Sequence, residues 1–499
     1  MNESLSNSYT WVLKLFFPFF AILLIVRGIA HFADDPGVGW HLANGRNILS
    51  SFVIPRIDTF LSIERPWISD QWGADLIFAF VFHNFNWLGL YVFCFILFFT
   101  SFYISTSGKS LKVSSLAFFL SMFCVFQLLS IHALLRPVLW SFIFFVLQYK
   151  HLTQLLNERK TQVKTYFFYF ISYALWSNLH PSFMLGLVLV FFAVLSETLY
   201  RFSKSEQVLE HSMTNVLILL GICGGVGSFC NPNGYYLHAS ILELGASDFF
   251  MTLNREWLPL SIKSLEGSIL TVMLFSILFS KLFLQTTPRV QNHSSLPSSI
   301  FSFLICFFFL YQSFNSVRFV PYLALLLFIP FAKSLDLTFQ WLLSLSPVLE
   351  RRSSLLHVSL TSFLLVYFLV IALMGFSSKQ FNVGPSKDVY PYSMISFLKE
   401  NAARIERPLV IYNHPDLGGF LTYFGEGIVV PVLDDRNGLL REPPYSEFLS
   451  AKSSSSLTQI AKKYQARFVI TSSKKTPITD DLSLLLIKSE NDFLLYEVR

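Results

Sequence analysis

Long apolar runs separated by short polar segments set the pattern of this chain. A helix needs ~20 apolar residues to cross the hydrocarbon layer of a membrane. That ruler picks out stretches near 11–30, 86–106, 113–131, 137–151, 165–177, 182–200, 213–230, 265–285, 298–314, 318–335 and 354–376. The pattern therefore predicts about eleven spans. The 137–151 and 165–177 runs are short, so ten or twelve spans fit as well, and Ala74 to Phe82 reads as a helix lying on or dipping into the membrane surface. The first run carries Lys14 and Arg27 near its ends and has no small-x-small site before Asp34, so it reads as an uncleaved span and not a signal peptide.

Past residue 380 the pattern changes. Apolar runs shorten, charges return, and "FNVGPSKDVYP" reads as a Gly/Pro linker. "YPYSMISFLKENAARI" and "SLTQIAKKY" have helical spacing, whereas "PLVIY", "GIVVPVL", "ARFVIT" and "DFLLYEV" read as short buried strands. The predicted fold class is an all-α polytopic membrane domain over 1–380, with a long first outer loop at 31–72. A small extracytoplasmic α/β domain over 381–499 follows it.

Composition sharpens this reading. Hydrophobic residues make up 53% of the 499 and charged ones only 14%, far from the balance of a soluble protein. The net charge of +6 comes from scattered Lys and Arg without a basic stripe, so a nucleic-acid partner is not expected. The basic residues cluster instead in alternate loops: Lys109 and Lys112; Lys150, Arg159, Lys160 and Lys164; Arg201 and Lys204; Lys281 and Arg289; Lys333, Arg351 and Arg352. Those loops, and the N-terminus, are expected to face the cytoplasm. The remaining loops and the C-terminal domain then face outward. The five cysteines form no CxxC and no zinc-like spacing with His, so no metal site is expected.

Almost every unusual polar residue falls on the outer side. "DDPGVGWHL" sets Asp34 and Asp35 where a span meets water, with His41 close by. A carboxylate there is costly unless solvated, paired or used; it has the chemistry to deprotonate a hydroxyl, with His41 sharing the proton. The bland alternative is a solvated helix end with Trp40 as an interfacial anchor. Arg136 in "LLRPVLW" and Arg318 in "FNSVRFVPY" offer guanidinium forks suited to phosphate oxygens; the alternative is snorkelling to lipid headgroups. Asn178 and His180 in "LWSNLHPSF" suit sugar hydroxyls or a plain interfacial turn, and Asn231 in "CNPNGYYLH" marks a strong turn. Glu256 in "NREWLP" reads equally as a site residue or as a local ion pair with Arg255. In "VLDDRNG", Asp434, Asp435 and Arg436 follow a strand, where acids bind a cation or sugar hydroxyls, or simply mark a polar strand end. No GxGxxG, P-loop, GxSxG or HExxH occurs.

In order, "DDPGVGWHLANGRNIL", "VIPRIDTF", "PWISDQWGADLIF", "LRPVLWSF", "LWSNLHPSFMLGL", "NPNGYYL", "REWLP", "VRFVPYLAL" and "VVPVLDDRNG" resemble a family of bacterial multi-pass proteins. These are of the GT-C glycosyltransferase type, related to mannosyltransferases that use polyprenyl-phosphate sugars. The resemblance spans nearly the whole chain and lies in the joint order of the motifs. It implies a catalytic acid at Asp35, with Asp34 beside it, and makes His41, Arg136, His180, Asn231 and Arg318 site candidates.

Three positions depart from the family pattern: Gly37 stands where a second acid occurs, Gln71 where a Glu occurs, and Asp435 where a Gly occurs. These departures remove two acids and, with them, the expectation of a metal-dependent or two-carboxylate mechanism. The resemblance implies sugar transfer from a polyprenyl-phosphate donor to a hydroxyl of a glycan, lipid or protein outside a bacterial inner membrane. The donor is a substrate, and no other cofactor is expected. Two alternatives stay open: a non-catalytic binding or transport component for lipid-linked glycans, and a glycan ligase or polymerase.

Overall fold

The computed structural model describes residues 32–106, 113–132, 134–204, 212–247, 255–284, 295–378, 383–402, 408–436, 443–451, 453–472 and 483–499. The expected span at 11–30 lies outside them. The first outer loop folds into α1 (Val38–Ser51) and a two-residue ribbon, β1 (Ile57–Asp58) antiparallel to β2 (Arg65–Pro66). Ten further predicted runs are helical: α2 (Trp72–Thr106), α3 (Ser115–Leu129), α4 (Val138–Glu158), α5 (Val163–Leu179), α6 (Phe183–Lys204) and α7 (Ser212–Ser228), then α9 (Leu265–Phe279), α10 (Leu296–Asn315), α11 (Val320–Ser344) and α12 (Ser353–Ser378). The outer loop read between 231 and 259 carries one more helix, α8 (Tyr235–Gly245).

Among the described residues, six helical stretches are long and apolar enough to cross a membrane: Trp72–Thr106, Ser115–His132, Phe183–Ser203, Leu265–Leu284, Leu296–Asn315 and Val317–Ser344. The helix α2 joins the expected surface helix at 74–82 to the span after it. The two remain distinct by a kink at Asn86, whose φ of 53° is one that Asn tolerates better than most side chains. Lipid gives helices no hydrophobic reason to associate, so close packing and buried polar pairs hold the bundle. The central helix α11 is the most enclosed, and its Phe328 meets Phe102 of α2 and Phe118 of α3 edge-on at 5.2 and 5.6 Å. At the end predicted to face the cytoplasm, buried Glu197 accepts from both terminal nitrogens of Arg159, at 3.0 and 2.6 Å.

The C-terminal domain is α/β. It orders α13 (Tyr392–Ala402), β3 (Leu409–Asn413), α14 (Gly418–Phe424), β4 (Val429–Pro431), α15 (Pro443–Ser450), α16 (Ser454–Lys463), β5 (Phe468–Ser472), β6 (Leu484–Glu490) and β7 (Phe493–Val498). The sheet runs β4-β3-β5-β7-β6, parallel among β4, β3 and β5 and antiparallel through β7 and β6. Successive side chains of a strand face opposite sides. Accordingly Ile411 joins Met394, Leu398, Phe420 and Phe468 on one face, whereas Tyr412 joins Leu457, Ala461 and Val469 on the other. Two-sided burial is why these strands read as apolar runs.

This domain is fastened to the membrane part. The segment read as a linker is pinned: Gly384 N donates to the Tyr91 hydroxyl at 3.1 Å, Ser386 N to Asp34 Oδ1 at 2.7 Å, and the Tyr390 hydroxyl to the Asp34 carbonyl at 3.0 Å. Below it, α14 lies backbone against backbone on α1. A Cβ on Gly39 would sit 1.9 Å from the Gly419 carbonyl oxygen, and one on Gly419 would sit 2.1 Å from the Pro36 carbonyl oxygen. Gly39→Ala is therefore expected to force the two helices apart, at a cost of ~1–3 kcal/mol or more. Limited proteolysis of the 383–391 segment should quicken and the melting temperature fall. Gly225→Ala, which meets open space, should change neither. Unchanged proteolysis in Gly39→Ala would show that this contact does not hold the domain down.

Candidate active site

The N-terminal ends of α1, α4 and α6, the C-terminal ends of α8 and α10, the turns before α2, α4 and α11, and the edge of the C-terminal sheet line a cavity of about 1410 Å3. That exceeds the ~300–1,000 Å3 usual for a single small ligand. Asp35, His41, Arg136, His180, Glu256, Arg318 and Arg436 all line it.

Asp35 is 3% exposed. Its Oδ1 accepts from Gly37 N at 2.9 Å, so the Pro-Gly turn wraps the carboxylate, and its Oδ2 accepts from Arg136 Nε. The second arm of Arg136 reaches Glu256 Oε1. Glu256 Oε2 in turn lies 3.5 Å from Arg318 Nη1, and the Arg318 guanidinium rests 5.1 Å from the Trp257 ring. Four segments far apart in sequence thus form one chain of alternating charge, Asp35–Arg136–Glu256–Arg318. Glu256 is bound to these two arginines across the bundle. Burial opposes its charge, but Arg136, His132 and Arg318 outweigh it and hold the carboxyl at about 2. Burial likewise disfavours the Arg136 charge, and Asp35 and Glu256 more than reverse it, raising the Arg136 pKa.

His41 faces the cavity from α1, its ring centroid 3.6 Å from that of Trp40 and tilted by 32°. Its Nδ1 lies 2.5 Å from Asp75 Oδ1, and Asn44 donates to Asp75 Oδ2 at 2.6 Å. A carboxylate at Nδ1 sets the tautomer and leaves Nε2 as the exchangeable face. Nearby Asp70 is pushed up to about 6 by burial and then by Asp75, against Gln71 and His41. His180 Nδ1 accepts from Ser182 N at 3.1 Å and pairs with Ser141 Oγ at 2.9 Å, where the Trp176 indole also donates. Burial and then Arg318 push His180 well below the ordinary histidine value, so it faces the cavity as a neutral ring.

Other candidates lie elsewhere. Asp34 ties down the 383–391 segment. Asn178 accepts from the Trp72 indole at 2.6 Å and donates to the Ala174 and Cys230 carbonyls; Asn231 closes its own turn through Ser228, Asn233 and Gly234. Neither lines the cavity. Asp434 is the buried partner of Arg436, Oδ2 to Nε at 2.7 Å, and Arg436 also donates to Asp58 Oδ2 at 2.8 Å while lying 4.6 Å from the Trp67 ring. This clip joins the first outer loop to the C-terminal domain, and of its three charged groups the arginine lines the cavity. Among the described residues no three His, Cys, Asp or Glu side chains are grouped to hold a metal ion.

No protein-family model matches the sequence, and no curated protein sequence matches it. Among solved structures the chain is similar to ArnT from Cupriavidus metallidurans in the apo state. Identity is 13%, 98% of each chain is covered, and the TM-score is 0.51. The chain shares the overall fold of that structure. The likeness covers the helical bundle and the C-terminal domain together, in agreement with the polytopic architecture read from the apolar runs.

Sequence reading missed Asp70, Asp75 and His132 as site residues, and it did not separate Asp435 from Asp434. Asp70 and Asp75 stand in the "PWISDQWGAD" segment of the resemblance, which was the available signal. Asp435 was within the motif, yet nothing in "VLDDRNG" says that it, and not Asp434, turns to the cavity.

Proposed function

We propose that this protein is a membrane glycosyltransferase that moves one sugar from a polyprenyl-phosphate donor to an acceptor hydroxyl, on the outer face of a bacterial inner membrane. The observation that carries the reading is the Asp35 carboxylate held against Arg136 in the wall of a cavity with room for donor and acceptor together. The prenyl chain stays in the lipid between helices, and its phosphate meets Arg136 and Arg318, which Glu256 already draws toward one place. Asp35 takes the acceptor proton as the acceptor oxygen bonds to the anomeric carbon and the carbon–phosphate oxygen bond breaks, its electrons leaving with the phosphate. A single displacement of this kind inverts the anomeric centre. The fold shared with ArnT supports the reading, as does the loop charge pattern, which puts the site on the outer face, where cytoplasmic nucleotide sugars are not expected.

The test is donor consumption by purified protein in lipid nanodiscs, using a polyprenyl phosphate that carries one radiolabelled sugar and a bacterial envelope extract of lipids and glycans as the source of acceptor hydroxyls. Release of polyprenyl phosphate with an inverted product is expected. Saturable binding without consumption would instead make the protein a binding or transport component. Transfer only of whole lipid-linked oligosaccharides would make it a ligase.

A further inference from the structure

Gly37 lies where the first outer loop turns into α1. A Cβ placed there would be 3.0 Å from Asp35 Oδ1, 3.1 Å from Trp40 Nε1 and 3.3 Å from Asp435 Oδ2. The Trp40 indole donates to Asp435 Oδ1 at 3.1 Å, and both carboxylates line the cavity. One acid comes from the membrane domain and one from the C-terminal domain, and they flank a single point. We propose that Asp435 is a second carboxylate of the active site, a positioning residue with which Asp35 shares the proton taken from the acceptor hydroxyl. The proposal rests on the glycosyltransferase reading above.

Two carboxylates facing one spot favour a proton held between them. Burial, then Asp35 and Asp434, push Asp435 well above the usual carboxylate range, against the pull of Arg136; Asp416 adds to the push, and Tyr445 also faces it. In the transfer step the hydroxyl proton passes to Asp35 and adds to the one the pair already holds. It leaves to water once product has gone, so no other reactant is required. The arrangement also accounts for two departures from the family pattern at once. An acid is missing at Gly37 and an extra one is present at Asp435, and the structure brings both positions to the same point. A carboxylate at Asp435 therefore stands beside the point to which a side chain at position 37 would project.

Two variants test this. Asp435→Asn keeps an acceptor for the Trp40 indole and removes the charge. Gly37→Asp combined with Asp435→Gly moves the acid back to the first outer loop, into room the lost side chain leaves. Transfer should fall about 10²-fold in Asp435→Asn and return to within about tenfold of wild type in the relocated variant. A second readout needs no turnover. A carboxyl raised in the folded state costs stability as pH climbs from its unfolded value of 3.8 through its folded one. From about pH 4 upward, the wild-type melting temperature should therefore fall relative to Asp435→Asn. The relocated variant should fall like wild type.

Wild-type transfer by Asp435→Asn with an unaltered melting profile would overturn the proposal and leave the glycosyltransferase reading standing. Loss of transfer that relocation does not restore, with an unaltered profile, would overturn it as well. If wild type consumes no donor but the melting profile follows the acid, the pair stands and the glycosyltransferase reading falls.

Discussion

Asp35→Asn is expected to lower sugar transfer by about 10³-fold, within the range that a positioned base contributes, while the donor still binds. Asp35 makes two contacts, one through each oxygen: Gly37 N to Oδ1 and Arg136 Nε to Oδ2. An amide has one acceptor atom, so the variant serves one of these donors and turns an N–H toward the other. Some loss could then come from a displaced Arg136 and not from the missing base. Asp35→Ala with added formate separates the two. A small carboxylate diffusing into the vacated space restores proton transfer, and it should raise the rate in proportion to its concentration, whereas chloride at equal ionic strength should not. Single-turnover assays with labelled donor give the rate of the chemical step. Asp35→Asn within fivefold of wild type would move the base elsewhere, with His41, held by Asp75, the next group in the cavity wall.

Much of this molecule was legible before its structure, and the reason differs by level. The spans were legible because lipid demands long apolar runs, and α3 to α7 and α9 to α12 fall where those runs are. Several site residues were legible because polar residues at span ends are costly, so Asp35, Arg136, His180, Glu256 and Arg318 stood out without any structure. What a linear pattern cannot carry is azimuth and distance. Glu256 pairs with Arg136 and Arg318, because the turn at 255–257 packs across the bundle onto the turn before α11. Asp434 and Asp435 are neighbours of one type, and which of them enters the clip with Arg436 is decided by β1, far away in sequence. Asp75 lies inside an apolar helix pattern, where only the approach of α1 shows its task. The strand β6 was missed because it packs mainly as one arm of a hairpin with β7 and is largely exposed, so it lacks the buried apolar run that marked the other strands.

Arg136→Ala is expected to produce the largest combined loss, in stability and in transfer alike. The guanidinium is the shared partner of two carboxylates, Asp35 at 1% and Glu256 at 19% side-chain exposure, brought from the first outer loop and from the turn before α9. Removing it leaves two acids near one another in a poorly solvated place, a change that costs about 3–5 kcal/mol when a buried pair is broken. Among the described residues Arg318 is paired with Glu256, at 3.5 Å, and not with Asp35, so it relieves one acid and not the other. Arg136→Lys keeps the charge, but an ammonium group presents a single point where the guanidinium fork bridged two acceptors. Its melting temperature should fall between those of wild type and Arg136→Ala. Combining Arg136→Ala with Glu256→Gln should recover part of the lost stability, because one uncompensated acid is then gone. Stability alone would describe a structural clamp, so donor affinity decides the function. If Arg136 binds the donor phosphate, Arg136→Lys, which folds, should raise the donor KM by about tenfold or more, the loss of one charge-assisted hydrogen bond. An unchanged KM in Arg136→Lys would confine this arginine to holding Asp35 and Glu256 in place and leave the phosphate to Arg318.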